Sequence, residues 1–503
     1  MTTSLIGRLS ALKGWRADLA AFAAGLLSAL SLPPVYVLPA LLVAIPVLLR
    51  LIQGASRPLV AARRGWWFGF GLHLIGLYWI TEEILIEAAR FWWLVPLAVP
   101  ALSAVLAVFI AVPAAIVWRA RPGWRAACAL AGTWVLADLA RQFVATGFPW
   151  NPFGSVWAFP GRLGDIMIQP ASLIGTHGLT LVTILLASLP LLGWAWRAGG
   201  AAVLVLWFGY GLIRIDQPMP PAPDLSVFLI QGNVAQGQKW DRSLMVSIFR
   251  HYLALTRQAA EQADGHPAVI VWPETASPAQ LQTDPEARRL IAEAADGAPV
   301  LAGSVRFDAD GYPLNSLFAL GAGGVIEDIY DKWHLVPFGE YQPAWLPLGI
   351  QIVPGGGFAK GPGPRTLHVP GLPPAGALIC YEAIFPSQVI DPNDRPDWMV
   401  NVTNDAWFGN STGPRQHLIA ARMRAVEEGL PLMRAANTGI SAGFDAKGHE
   451  LGRLGTQIGG ILQVRLPPAL PVTIYARSGL LLPAGVALVF TLIGLIGMSA
   501  RGN

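Results

Sequence analysis

The sequence predicts a polytopic α-helical membrane domain of eight transmembrane helices carrying an α/β sandwich, with sheets inside and helices outside. Three observations lead there. Charged residues make up 13% of the 503 and apolar residues 53%, against a charged share of about 25% in soluble proteins. Several apolar runs reach the roughly 20 residues needed to cross a bilayer. Between the last two of them, some 250 residues change character, and short β-rich runs alternate with amphipathic helices.

Taken in chain order, the spans fall near 17–33, 35–53, 66–81, 92–118, 126–141, 173–196, 200–214 and 478–499. The first follows Arg8, Lys13 and Arg16 like a signal peptide, but no small-residue cleavage site is clear, so it is expected to remain as a membrane helix. Twelve Lys and Arg residues flank the spans on the N-terminal side of the membrane and five on the other. By the positive-inside rule, both termini are cytoplasmic. The expected organisation is a transmembrane domain over 1–216, an outward domain over 217–475 and a last helix over 476–503. In a bacterium with two membranes this means a multi-pass inner-membrane protein whose outward domain faces the periplasm.

Trp66, Trp67, Trp92, Trp93, Trp150 and Trp157 fall where spans meet the interface and read as an aromatic belt. His73, Asp138 and His177 lie in or near spans, where polar groups are costly; helix–helix hydrogen bonding and a role in a site are both open for them. Loop 142–172, with ATGFPWNPFG, is long for a connector, and the Pro- and Gly-rich arm 341–364 reads as a second mobile loop. Both are expected to help form a lid or entrance. GGG at 355–357 lacks the lysine spacing of a phosphate loop. The net charge of +4 marks membrane orientation and calls for no nucleic acid. Two cysteines, Cys128 in a span and Cys380 in the outward domain, give neither a disulfide framework nor metal spacing.

Within 217–475, the runs LSVFLIQGN, PAVIVWPE, PVLAGSVRF, NSLFAL, GGVIEDIYDK, ALICYEA, WMVNVTND, PLMRAAN and GISAGFD read as strands. Glu274 follows VIVWP, Lys332 follows VIEDIYD and Cys380 follows GALI. Residues just past the ends of neighbouring strands can converge on one pocket. Their chemistry fits together. A carboxylate can take a thiol proton, an ammonium can favour the thiolate and stabilise a tetrahedral oxyanion, and the product is a thioester. Each residue also has an ordinary reading: Glu274 as a helix-start acid, Lys332 as a solvated charge, Cys380 as a small buried hydrophobe. There are only five lysines in the chain, which weakens that reading for Lys332.

WPE, DKWHLVPFGEY and CYE resemble the Glu-Lys-Cys triad regions of the nitrilase superfamily, which makes the expected outward fold a nitrilase-like αββα sandwich. More narrowly, QGNVAQGQKWD, HLVPFGEYQP, NVTNDAWFG, QHLIAARMRAVEEGLPLMRAANTGIS and TGFPWNP resemble the apolipoprotein N-acyltransferase family across nearly the whole chain. The resemblance implies an acyl transfer from a phospholipid, typically phosphatidylethanolamine, through a cysteine thioester to the N-terminal amine of a diacylated apolipoprotein. It carries over Cys380 as nucleophile, Glu274 as base, Lys332 as oxyanion stabiliser and Glu340 as a further catalytic glutamate orienting Lys332. Tyr381, Glu382, Trp240 and Trp407 are carried over as substrate-binding residues. No cofactor and no metal are implied, and a monomer is expected. The rival readings are a membrane-tethered nitrilase-type amidase, in which water resolves the same thioester, and a transporter or scaffold whose outward domain only binds ligand.

Overall fold

In the computed structural model, which describes residues 11–86, 88–239, 241–343 and 357–497, strand formation in the α/β unit follows from apolar runs that bury both faces. Val227 and Leu229 of β1 (Ser226–Gln231) join one apolar cluster while Phe228 and Ile230 join another. Alternation with a period of two divides each strand between two cores. That is why β1, β2 (Ala268–Val271), β3 (Val300–Phe307), β7 (Ala375–Ile379) and β8 (Trp398–Thr403) read as nearly continuous hydrophobic runs.

The remaining strands are β4 (Pro313–Leu320), β5 (Ile326–Asp331), β6 (Thr366–Leu367), β9 (Leu432–Ala436), β10 (Ser441–Phe444), β11 (Glu450–Leu454) and β12 (Gly460–Arg465). Among the described residues they form two six-stranded sheets, ordered β12-β1-β2-β3-β4-β5 and β11-β10-β9-β8-β7-β6. The strands at the centre of each run parallel, β1 with β2 and β2 with β3 in one, β7 with β8 and β8 with β9 in the other.

The inner faces meet in one core, where Val227, Val269 and Leu317 of the first sheet share a cluster with Ala377, Val400 and Met433 of the second. The outer face of the first sheet packs on the helices Met245–Ala263 and Pro285–Ala294, and that of the second on Gly413–Glu428. The result is helices outside and two sheets inside. Parallel neighbours bring the carboxyl ends of β2, β7 and β8 to one side of their sheets, and the candidate residues sit there.

The chain divides into two compact units, Pro218–Thr473 and Met1–Gln217 together with Ile474–Asn503. The second is helical. Its helices approach closely through small residues: a Cβ on Gly25 would come within 2.0 Å of the Phe68 carbonyl oxygen, so only glycine permits this crossing. Among the described residues, three helices are long and apolar enough to cross a membrane: Trp92–Val117, Ala171–Leu191 and Trp194–Asp216. A fourth counts if Pro58–Gly76 and Ile80–Ile86, bent by 51°, form one span. The eight spans expected are therefore not confirmed. Gly14–Ala29 has 16 residues, about 24 Å of helix against a hydrocarbon core of roughly 30 Å. Leu41–Gln53 and Leu481–Leu495 are shorter still, and Trp124–Phe143 carries Arg125, Asp138 and Arg141 within its length.

Two other expectations change. Trp92 and Trp93 are exposed, as belt residues would be, but Trp150 is buried, tilted against Trp79 at 4.7 Å and stacked on Phe148 at 5.9 Å. Loop 142–172 is tied down as well. Asp138 pairs with Arg141 at 2.9 Å, Arg141 donates to the Trp150 carbonyl at 3.0 Å and Asn151 to that of Gly76 at 3.1 Å. The loop also folds into a 3-10 turn, Phe153–Trp157, and a helix, Arg162–Ile168. An arginine that satisfies both a buried carboxylate and a buried carbonyl fixes the loop it reaches.

Candidate active site

Glu274 stands three residues past β2, on a turn that crosses over β3. A Cβ on Gly303 would lie 2.3 Å from the Pro273 oxygen and 2.5 Å from the Thr275 nitrogen, so the turn sits there because β3 has no side chain at that point. The Glu274 carboxylate is buried and accepts three hydrogen bonds: from Asn315 Nδ2 on β4 at 2.7 Å, Lys332 Nζ at 3.1 Å and the Asn404 backbone N–H at 2.8 Å.

Lys332 continues β5 by one residue, its N–H bonded to the Asn315 carbonyl at 2.9 Å. Tyr330 of β5 faces the core between the sheets, so the alternation sends Lys332 the same way. Its side chain is 1% exposed and its Nζ also donates to Glu340 Oε1 at 2.8 Å. Glu340 is held in turn by Asn315 Nδ2 at 3.1 Å and by the Val336 N–H at 2.8 Å. An ammonium has three N–H donors. Two are spent on carboxylates, and the third has no hydrogen-bond partner among the described residues.

Cys380 immediately follows β7. Ala375, Ala377 and Ile379 face the inter-sheet core, so a continued strand would send the next side chain outward. The thiol instead joins the same inter-sheet cluster, because Cys380 adopts φ +51° and opens a 3-10 turn, Cys380–Ile384. A left-handed conformation costs a non-glycine residue about 1–2 kcal/mol. The turn is clamped by Glu382, which is buried and has both oxygens taken. One accepts from the N–H groups of Trp333 at 2.8 Å and His334 at 3.2 Å, the other from the Ile379 N–H at 2.6 Å and the Tyr330 hydroxyl at 2.8 Å. Glu382 thus staples the strand end of Cys380 to the loop beyond Lys332, and both its oxygens accept from protein donors.

Burial and charge compete at each group. Burial alone would raise Glu274, but the Lys332 and Lys239 cations and the Asn315 hydrogen bond hold it below the ordinary 4.5. Burial alone would lower Lys332; Glu274 and Glu340 outweigh it and keep the ammonium charged. The Cys380 thiol is pushed well up, first by burial and then by Glu274, with Lys332 opposing only in part. Lys332 does favour the thiolate, as expected, but burial and the Glu274 charge outweigh it. Burial raises Glu382 to about 7 against the opposing amides of Ile379 and Trp333.

The other expected residues divide. Tyr381 is buried, its ring edge-on to Phe385 at 5.1 Å. Trp407 is half-buried in the 3-10 turn Asp405–Phe408. Trp240 lies outside the described residues, as do residues 344–356 of the arm. A hollow of about 410 Å³ bordered by Gly232, Gln238, His251 and Gly459 includes none of Glu274, Lys332 or Cys380.

Sequence reasoning missed several groups that the structure adds. Lys239 is buried, donates to the Glu274 carbonyl at 3.0 Å, and is lowered by burial to about 8. Asn315 bridges the two glutamates. His417 reaches the Cys380 carbonyl oxygen at 3.0 Å and is linked through Asp405 to Thr403 and Arg434. Their signals were available: Lys239 is one of five lysines, and Arg434 is a charge inside the apolar run PLMRAAN.

Residues 24–189 match the family model described as apolipoprotein N-acyltransferase N-terminal domain, and residues 230–470 match that of carbon-nitrogen hydrolases. The apolipoprotein N-acyltransferase of Bradyrhizobium diazoefficiens is 40% identical over 501 residues, covering 93% of this chain and 92% of that relative. The one from Rhodopseudomonas palustris is 38% identical and covers 95% of each. Among solved structures, a nitrilase-superfamily member of Saccharomyces cerevisiae is similar at a TM-score of 0.37 and 16% identity, over 50% of this chain and 93% of that one.

Proposed function

This chain belongs to the apolipoprotein N-acyltransferase family, an acyltransferase with a carbon-nitrogen hydrolase domain that N-acylates lipoproteins, and from that premise we propose that Cys380 carries the acyl chain as a thioester between two lipid substrates. The donor is a membrane phospholipid, with phosphatidylethanolamine the expected one. The acceptor is the N-terminal amine of an S-diacylglyceryl-cysteine apolipoprotein.

In the first half-reaction Glu274 takes the Cys380 proton as sulfur attacks an ester carbonyl, and the free N–H of Lys332 meets the oxygen that becomes negative. The tetrahedral adduct collapses, breaking the C–O bond. Glu274 returns the proton to the departing alkoxide, leaving a lysophospholipid and a thioester. In the second half-reaction the acceptor amine attacks the thioester carbonyl and Glu274 takes a proton from the nitrogen. The C–S bond then breaks, the proton passes to sulfur, and an amide is released. Glu340 keeps Lys332 aimed by occupying one of its donors.

The observation that carries this reading is the bond of Lys332 Nζ to both Glu274 and Glu340, with a neutral buried thiol beside them. A base already ionised and a thiol still protonated suit proton transfer in step with attack. The membrane-spanning helices supply the second argument. Acyl chains cost roughly 0.8 kcal/mol per CH₂ to expose to water, so a membrane enzyme avoids extracting its substrates. The arginine distribution supports cytoplasmic termini, which in a bacterium with two membranes means an α/β unit facing the periplasm.

The test is to incubate the purified protein with acyl-labelled phosphatidylethanolamine and a diacylated lipopeptide. Label is expected first on Cys380 and then on the peptide amine. Release of free fatty acid with no triacylated peptide would sink the transferase reading in favour of a hydrolase.

A further inference from the structure

Next to Cys380 lies a buried chain of polar groups that the reaction above does not use. Arg434 on β9 is fully buried and donates through Nη2 to Asp405 Oδ2 at 2.7 Å, with Nη1 bonded to Asn401. Asp405, beyond the end of β8, is equally buried, and its Oδ1 accepts from the Thr403 hydroxyl at 3.0 Å. His417, on the helix Gly413–Glu428, is fully buried too. Its Nδ1 lies 3.0 Å from Asp405 Oδ1 and 3.1 Å from Arg434 Nη2. Its Nε2 lies 3.0 Å from the backbone oxygen of Cys380. That oxygen can only accept, so Nε2 carries the proton and donates it. At Nδ1 the ring lies between the Asp405 carboxylate and the Arg434 guanidinium, which together fix its orientation.

The chain therefore reaches Cys380 twice, at its carbonyl through His417 and at the neighbouring strand end through Thr403, which the pairing of Ile379 with Val402 sets beside Cys380. We propose that Asp405, fixed by Arg434, is a positioning residue for Cys380: through His417 it holds the left-handed backbone of the nucleophile, and through Thr403 it orders the thiol. This rests on Cys380 being the nucleophile.

The arrangement has a consequence for catalysis. At rest the Thr403 proton is donated to Asp405, so the hydroxyl has only lone pairs to offer the thiol. When Glu274 takes the thiol proton, the hydroxyl turns its own proton from Asp405 to sulfur, and Arg434 still compensates the carboxylate. The thiolate gains a donor without any charge moving. Without His417 the carbonyl of a residue at φ +51° loses the donor that pins it, and sulfur is no longer fixed relative to Glu274 and Lys332.

The experiment uses the full chain in detergent. The pH dependence of Cys380 alkylation by iodoacetamide is followed by mass spectrometry, alongside kcat and KM for a diacylated lipopeptide with phosphatidylethanolamine as donor. The charged and titratable groups around the thiol are Glu274, Lys332, Lys239, Asp405 and His417, and all of them stay in place in Thr403→Val and Thr403→Ser. Thr403→Val should move the alkylation midpoint up by about one pH unit, making alkylation at pH 8 about tenfold slower, with kcat lowered and KM unchanged. Thr403→Ser should restore wild-type behaviour. His417→Gln, which keeps an N–H donor, should retain more of kcat than His417→Leu at equal KM. Wild-type alkylation rates at every pH in Thr403→Val would overturn the proposal. Failure of wild-type Cys380 to take an acyl group from phospholipid would instead overturn the nucleophile assignment on which it stands.

Discussion

The two sheets contribute to the candidate site in different ways. The first supplies charge: Glu274, Lys332 and the Asn315 amide stand at the ends of β2 and β5 and within β4, and Glu340 lies in the loop after Lys332. The second supplies geometry: Cys380 turns through φ +51° at the end of β7, between the Glu382 clamp and the hydrogen bond from His417. Charges on the first sheet neutralise one another, so each is affordable only with its partners present. On the second, the reactive group is neutral at rest, and the surrounding polar atoms decide where it points. Chemistry and aim are thus divided between two halves of one sandwich, joined by the Asn404 N–H that reaches Glu274 from across the core.

This division can be broken from either side. The largest effects should come from the charged half. Glu274→Gln should lower kcat by roughly 10²–10⁴-fold, the range for loss of a general base, and Lys332→Met by about 10²–10³-fold, that of an oxyanion donor. Lys332→Met also leaves Glu274 and Glu340 buried without their cation, which costs about 3–5 kcal/mol of stability. A melting curve beside the rate measurement separates the two effects. If Lys332→Met melts early but turns over normally, the lysine is structural and the comparison fails.

A smaller effect should come from the geometric half. Glu382→Gln places an amide N–H₂ among four donors, and each unmet donor costs about 1–3 kcal/mol. The expected result is a lower melting temperature with a fall in kcat and little change in KM. A change confined to KM would mean that Glu382 contacts substrate.

The smallest effect is on pH and treats both halves alike. Glu274 and Asp405 are held below their ordinary values of 4.5 and 3.8, in both cases by neighbouring cations and hydrogen bonds that outweigh burial. A depressed carboxylate stabilises the fold fully above its unfolded value and loses that contribution as pH falls through the folded one. These two carboxylates should therefore pull the denaturant midpoint down below about pH 4, while Glu382, raised to about 7, takes stability away as pH rises towards 7. Asp405→Asn should flatten part of that fall, and an acid limb unchanged in the variant would contradict the assignment.

Much of this was legible in the amino-acid order. Apolar runs of period two mark strands buried on both faces, because each side chain must find a core. Glu274, Lys332 and Cys380 are recognisable as polar residues placed just past such runs. Sequence also marked the change of character near 217, where charged residues return. It counted eight spans, of which three, or four with the bent pair, are long and apolar enough among the described residues, because hydropathy registers apolarity but not the length at which a helix ends. It did not reveal that Trp150 is buried or that both Glu382 oxygens are taken by protein donors, because neither burial nor hydrogen-bond partners are local properties. What the tertiary structure alone decided is who meets whom: Asn404 with Glu274 across 130 residues, Arg434 with Asp405, His417 with the Cys380 carbonyl, and the sense in which the Cys380 backbone turns. These are satisfactions of buried polar groups. A buried donor or acceptor must be paired wherever the chain can bring a partner, and that is fixed only once the sheets have come together.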